Sequence, residues 1–275
     1  MKVYISVDME GISGVAAGRQ LRDAEYNRFR KLMTQDTNAA IEGAFNAGAK
    51  SVLVNDAHGH MCNILVEELD PRARLISGST KHLLQMEGID SSFDAVLFVG
   101  YHAREGSWDG VINHSIMGVA VTEIRLNGRP IGETGINAAV AGAFGVPVVL
   151  VTGDDVVAKE AIDFLGNPTT VEVKKALDRY SADLIVPEAA QEMIRKGAEE
   201  ALLRRHEVKP YEVGKTTFEI ELKMTNMANM ASIFPCVERI GPKTVRVSAD
   251  NAAEAYKLLW GTLILAYASM NGFFS

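Results

Sequence analysis

The alternation of strand and helix patterns over the first 165 residues constrains the fold most. Apolar runs at 2–7 (KVYISV), 51–56 (SVLVND) and 147–153 (PVVLVTG) are bounded by turn residues. A helical repeat of apolar positions over 24–47 separates the first two runs and stops at Gly48. Alternating elements of this kind form a sheet with helices on its faces. The sequence therefore predicts an α/β fold with a mainly parallel sheet and flanking helices.

The pattern changes in two places. Strand-forming residues flank Asn127-Gly128, and this dipeptide is the strongest short signal for a β-hairpin, so an antiparallel ribbon is expected there. Beyond about residue 165 helices and strands are mixed, which indicates a smaller α+β C-terminal portion. We expect two domains: residues 1–170 as the α/β catalytic domain, and residues 171–275 as a smaller portion packed on it.

Charge and hydropathy exclude several classes of partner. The formal net charge of the 275 residues is −7 and no basic cluster is longer than Arg204-Arg205, so a nucleic-acid partner is not expected. The longest apolar stretch, 258–270, is shorter than the roughly 20 residues that cross a bilayer, so it is interpreted as a buried helix and no membrane partner is expected. The acid at position 8 does not suit a signal peptide, which predicts a cytoplasmic protein.

Acids and histidines follow three of the predicted strands. Asp8 and Glu10 follow the first strand, His58 and His60 follow the second, and His102 follows a third. The carboxyl ends of parallel strands meet at one edge of a sheet, where ligands of open α/β folds bind. We therefore expect these side chains to lie close together.

Carboxylates and imidazoles brought to one edge form a typical zinc site, with Mn and Co as less selective alternatives. A cation would also explain the acid pair, because crowded carboxylates raise each other's pKa and a divalent ion removes that cost. The candidates outnumber the ligands that one ion needs, so a pair of ions is preferred. These candidates are Asp8, Glu10, His58, His60, His102, His114 and Glu133.

Six separated motifs, in this order, resemble the zinc-dependent D-aminopeptidase family over nearly the whole chain. They are SVDMEGISG (6–14), VNDAH (54–58), GYHAR (100–104), NHS (113–115), GETGINA (132–138) and VTGDD (151–155). The resemblance implies a dinuclear zinc aminopeptidase, with two ions per subunit, that removes the N-terminal residue of short peptides containing D-amino acids. It also implies a ring-shaped homo-oligomer, for which a decamer is the candidate size and to which the C-terminal portion contributes.

The resemblance also implies roles for individual residues. Asp8 would bridge the two ions, with Glu10 and His58 on one of them. His102 and Glu133 would hold the other ion. His114 matches the catalytic histidine, a nucleophile or base that is not a permanent ligand.

Some alternatives stay open from the sequence. His60 lies two residues after His58 and would point the same way on a strand, so spacing does not separate the two. Asp154 and Asp155 follow a strand but also begin a helix, where acids act as caps. A metal-dependent phosphoesterase or amidohydrolase could use the same ions on another bond, and a metal- or peptide-binding protein would need no turnover.

Overall fold

In this computed structural model, residues 1–270 are described, and they contain two sheets and six α-helices. The helices are α1 (Tyr26–Asn46), α2 (Glu133–Ala143), α3 (Asp155–Leu165), α4 (Pro187–Leu203), α5 (Thr225–Ala231) and α6 (Ala252–Ala268). The strands of the first sheet are β1 (Lys2–Val7), β2 (Ser51–Asp56), β3 (Ala73–Ile76), β4 (Ala95–Val99), β7 (Val148–Asp154), β8 (Thr169–Asp178) and β9 (Ser181–Leu184). Those of the second sheet are β5 (Val121–Leu126), β6 (Arg129–Pro130), β10 (Thr216–Leu222), β11 (Glu238–Arg239) and β12 (Thr244–Ala249).

The first sheet has the strand order β3-β2-β1-β4-β7-β8-β9. Its strands are parallel apart from β9, which runs antiparallel to β8. The chain goes from β1 outward through β2 and β3, and then returns to the other side of β1 as β4. The order therefore reverses between β1 and β4, and a crevice at such a point is where ligands bind in open α/β sheets.

The first sheet is covered on both faces. Val3, Ile5 and Val7 of β1 belong to a core shared with α1 and α4, whereas Tyr4 belongs to a core shared with α2, α6 and the second sheet. A strand that is buried on both faces has few polar positions, which explains the apolar run at the N-terminus. The predicted α/β class with a mainly parallel sheet is confirmed.

The second sheet is antiparallel, in the order β11-β12-β10-β5-β6. The predicted hairpin at Asn127-Gly128 is confirmed, since β5 and β6 pair antiparallel on either side of it. The sequence missed β8, a parallel strand that carries the first sheet beyond residue 165. The division at residue 170 stays a prediction; β8 crosses that position, and β5 pairs with β10 from the C-terminal part.

Candidate metal centre

The backbone after β1 approaches the backbone after β4 so closely that a side chain would not fit at two positions. The amide of Gly11 donates to the carbonyl of Gly100 over 2.8 Å, and a Cβ atom on Gly11 would lie 1.9 Å from the carbonyl oxygen of Tyr101. Gly100 has a φ of 71°, and a Cβ atom there would lie 2.3 Å from the carbonyl oxygen of Asp8. Glycine at both positions is therefore what lets the acids after β1 lie beside His102.

Asp8 divides its two carboxylate oxygens between two groups of side chains. Its Oδ1 lies 3.2 Å from Nδ1 of His58, and its Oδ2 lies 3.4 Å from Nε2 of His102. Glu10 joins the first group, because its Oε2 is 2.9 Å from the same His58 nitrogen. Glu133 joins the second group, because its Oε1 is 3.3 Å from Nε2 of His102. These five residues are the ligands predicted from the sequence, and the structure brings all of them together.

The two groups are compact enough to hold ions. One ligand atom each from Asp8, Glu10 and His58 lie within 4.8 Å of one another, as do those from His102, His114 and Glu133. His60 is exposed and belongs to neither group. Between the two histidines that spacing could not separate, the structure places His58 against the acids.

The tautomer of His102 tests whether the residues fit a metal. Its Nδ1 is 2.9 Å from the carbonyl of Ala103, and a carbonyl only accepts, so Nδ1 carries the hydrogen. In its neutral form the ring aims the Nε2 lone pair at two carboxylates, and this buried nitrogen makes no hydrogen bond. A cation between the three groups would relieve that arrangement, and nitrogen with oxygen donors is the set that suits zinc.

His114 is the more accessible of the two histidines beside Glu133. Its Nδ1 is 2.9 Å from the carbonyl of Ile112, and its Nε2 is 3.8 Å from Oε1 of Glu133. Ile112 and Ile116, on either side of it, have φ values of 49° and 57°, which are strained for β-branched residues. Strain of this kind costs about 1–3 kcal/mol per residue and concentrates at functional loops.

The metal-free site holds protons on its histidines. Burial alone would lower the pKa of His58 and His102, but the charges of Glu10 and Glu133, respectively, raise both pKa values well above the usual range. Burial would raise the pKa of Glu133, but the charge of His102 lowers it to about 2. Burial and the charge of Glu10 raise the pKa of Asp8. Zinc would have to displace the imidazole protons, since metal ligands bind deprotonated.

Gln85, a polar side chain that the sequence reasoning missed, helps to hold the second group. Gln85 donates through Nε2 to Oε2 of Glu133 and accepts from Asn137 over 2.7 Å. The amide of Ile116 donates to Oε1 of Glu133 over 2.6 Å. Gln85 lies in an ordinary-looking LLQMEG segment, so no sequence signal marks it.

The candidate acids outside the centre have structural roles. Asp154 caps α3, since its side chain accepts from the amides of Val156 and Val157. Asp155 pairs with Lys159 over 2.9 Å. Asp56 accepts from the amides of the segment that follows it, which is turn chemistry.

A cavity of about 220 Å³ opens onto the centre. Its polar end is formed by Asp8, Glu10, His58, Glu133 and His114, and its apolar wall is formed by Met61, Leu84, Ile116, Met117 and Trp260. Trp260 comes from α6 and was not anticipated. Trp108 is 87% exposed and lies outside this cavity.

The chain was compared with known proteins. The family model Peptidase_M55, described as D-aminopeptidase, matches residues 1–260. This chain belongs to that D-aminopeptidase family. The predicted family is thereby confirmed, and with it the prediction of an aminopeptidase among the hydrolases.

Individual relatives agree over almost their whole length. A D-aminopeptidase of Bacillus subtilis (strain 168) is 40% identical over 263 residues, which cover 94% of this chain and 95% of that protein. A solved structure, described as the Zn-dependent D-aminopeptidase DppA from Bacillus subtilis, a self-compartmentalizing protease, superimposes with a TM-score of 0.95 at 39% identity. The match covers 98% of this chain and 99% of that chain. Among the described residues of this chain, no helix is both long and apolar enough to cross a membrane.

Proposed function

We propose that this chain removes the N-terminal residue from short peptides that contain D-amino acids, using two zinc ions per subunit. The observation that carries the proposal is the division of the Asp8 oxygens between His58 and His102. A carboxylate arranged in this way suits a bridge between two ions. Glu10 and His58 would hold the first ion, and His102 and Glu133 the second.

The metal supplies electrophilic chemistry when it is bound: zinc polarises the scissile carbonyl and lowers the pKa of water toward neutrality. The protein residues bind and orient the substrate around it. Met61, Met117 and Trp260 line the apolar part of the cavity, where they exclude water from the side chain of the N-terminal residue. Glu10, beside the same cavity, is an acidic group that could receive the free amino terminus.

His114 is proposed as the residue that moves a proton. Its Nδ1–H donates to the carbonyl of Ile112, which leaves Nε2 free to accept a proton or to deliver one to the leaving amine. Histidine is the side chain that most often serves as a general acid or base. His114 lines the cavity, whereas His102 is buried behind it.

Assembly into a ring-shaped homo-oligomer, with a decamer as the candidate size, is part of the proposal, as is a cytoplasmic location. The relative from Bacillus subtilis is described as self-compartmentalizing. This chain exposes large apolar side chains that an assembly could cover, among them Trp108 and Ile233. The C-terminal portion, 171–275, is expected to contribute to the contacts. A measurement of the native mass tests this part.

The activity is tested by incubating the purified, zinc-loaded protein with D- and L-amino-acid amides, D- and L-dipeptides and a phosphate ester. Release of D-amino acids supports the proposal. Release of phosphate alone would replace the peptidase with a phosphoesterase. Zinc binding without turnover of any substrate would favour a binding protein.

A further inference from the structure

The segment that follows β1 has no regular structure and is nevertheless buried. Residues 8–13 and Val15 are all buried, and Glu10 lies within this stretch. Backbone groups that are buried outside helices and sheets must find other partners. Several of these partners belong to two buried charged side chains from distant parts of the chain.

Lys174 satisfies the carbonyl groups of the segment. Its Nζ atom donates to the carbonyl oxygens of Glu10, Ile12 and Val15 over 2.7, 3.0 and 2.7 Å. The lysine is 2% exposed and reaches the segment from β8. An ammonium group has three donors, and each of them is used on this one stretch of backbone. A lysine is rarely buried unless its charge is compensated, so its placement needs an explanation.

Asp36 holds the same segment from α1. Its Oδ2 accepts from the amide of Ser13 and its Oδ1 accepts from the hydroxyl of Ser13, both over 2.8 Å. Asp36 is fully buried. The Lys174 ammonium therefore binds carbonyl oxygens, and the Asp36 carboxylate binds an N–H group. Each charge lies at the end of the peptide dipole that has the opposite partial charge.

We propose that Lys174 is a positioning residue for Glu10, with Asp36 as its counterpart. The two buried charges fix the backbone of 10–15 so that the Glu10 carboxylate already faces His58 and Asp8 before an ion binds. Side chains behind metal ligands commonly orient the ligands in this way. The inference rests on the proposed role of Glu10 in the first zinc site.

The hydrogen bonds from Lys174 also act against the repulsion between Asp8 and Glu10. Asp8 and Glu10 are like charges at one strand end, and their repulsion, which His58 between them offsets in part, acts on the segment that carries Glu10. Hydrogen bonds from Lys174 to the Glu10 carbonyl oppose that repulsion through the backbone. In the second group of ligands, Glu133 is held by Gln85 and Ile116 instead. Lys174 makes its hydrogen bonds to the segment of Glu10.

The first test compares zinc binding in matched variants. Lys174→Met keeps the length of the side chain and removes the three donors, whereas Val171→Ala on the same strand leaves a cavity away from the segment. We expect Lys174→Met to lower the affinity for one of the two zinc ions by about 10- to 100-fold. The Val171→Ala control is expected to keep both ions at wild-type affinity. Competition with a chelator measures each affinity.

A double variant tests whether Lys174 acts through Glu10. If it does, Lys174→Met combined with Glu10→Gln weakens zinc binding no more than Glu10→Gln alone. If the loss of zinc affinity in the double variant is the product of the losses in the two single variants, the two residues act independently. That result overturns the inference. Unchanged zinc affinity in a folded Lys174→Met protein also overturns it, and leaves the proposed peptidase function standing. A wild-type chain that binds no zinc overturns both.

Hydrogen exchange on the wild-type protein decides the matter even if Lys174→Met does not fold. After treatment with a chelator, the amide of Ser13, which donates to Asp36, should exchange at least about a hundredfold more slowly than in an unstructured chain. Exchange at the unstructured rate that slows only when zinc is added would show that the ion orders the segment. That result overturns the role of Lys174.

Discussion

The imidazole rings of His102 and His114 are stacked, with centroids 4.2 Å apart and an angle of 7° between their planes. Each ring donates its Nδ1 hydrogen to a backbone carbonyl and turns its Nε2 toward Glu133. The two differ in access, because the side chain of His102 is 1% exposed and that of His114 is 19% exposed. The buried imidazole of His102 is thus suited to hold an ion, and the more exposed imidazole of His114 is suited to exchange protons.

His114→Ala should lower kcat by about 10² to 10⁴, the usual contribution of a positioned acid or base. Zinc content should stay at the wild-type value, because His102 and Glu133 remain. Metal analysis and turnover of a D-dipeptide are measured on the same sample. His102→Ala serves as the contrast and should lose an ion. Loss of an ion from His114→Ala would instead make His114 the third ligand beside His102 and Glu133.

His58→Ala and His60→Ala form a matched pair that assigns the ligand of the second motif. His58 contacts Asp8 and Glu10, whereas His60 is exposed. We therefore expect His58→Ala to retain one zinc ion fewer per subunit and to lose activity. His60→Ala should keep its zinc and stay within about twofold of wild-type turnover. Equal loss of zinc in both variants would contradict this assignment.

The candidate ligands stand out in the sequence because most of them follow strand ends. Asp8, His58 and His102 each lie within three residues of the end of a strand of one parallel sheet, and parallel topology places such ends side by side. Glu133 begins a helix and His114 lies in a loop, so these two depended on the family resemblance. Local pattern and family motifs together therefore predicted all the candidate ligands.

Residues that support the centre could not be predicted because they depend on contacts between distant segments. Lys174 contacts carbonyl groups about 160 positions earlier in the chain, from a strand that the sequence pattern did not indicate. Trp260 reaches the cavity from α6, where apolar residues indicate only a buried helix. Such roles follow from how elements pack, and periodicity in one segment carries no information about that.

Zinc binding to the metal-free protein should release protons. The pKa values of His58 and His102 lie well above the usual range because of the acids beside them, so both rings are protonated at neutral pH before zinc binds. We expect about two protons to be released per subunit near pH 7. Calorimetry in buffers of different ionisation enthalpy measures this number, and zinc affinity should fall as the pH is lowered. His60→Ala is a control that should leave the count unchanged, and release of no protons would contradict the expectation.

Asp36→Asn should remove a loss of stability that the wild-type protein undergoes as the pH rises to neutrality. Burial raises the pKa of Asp36 from 3.8 to about 6, so the folded chain holds this proton more tightly than the unfolded chain does. Stability is therefore lost as the pH rises from about 3.8 to about 6, and asparagine does not titrate. Between about pH 4.5 and 7, the unfolding free energy of the variant should rise by about 2 kcal/mol relative to that of wild type. Urea unfolding in the presence of a chelator measures both. Asp155→Asn, at a more exposed acid, should show no such gain. A difference that does not change with pH would mean that Asp36 is not the buried titrating group. A gain in stability with weaker zinc binding would show that the wild-type chain retains a costly buried charge for the sake of its metal site.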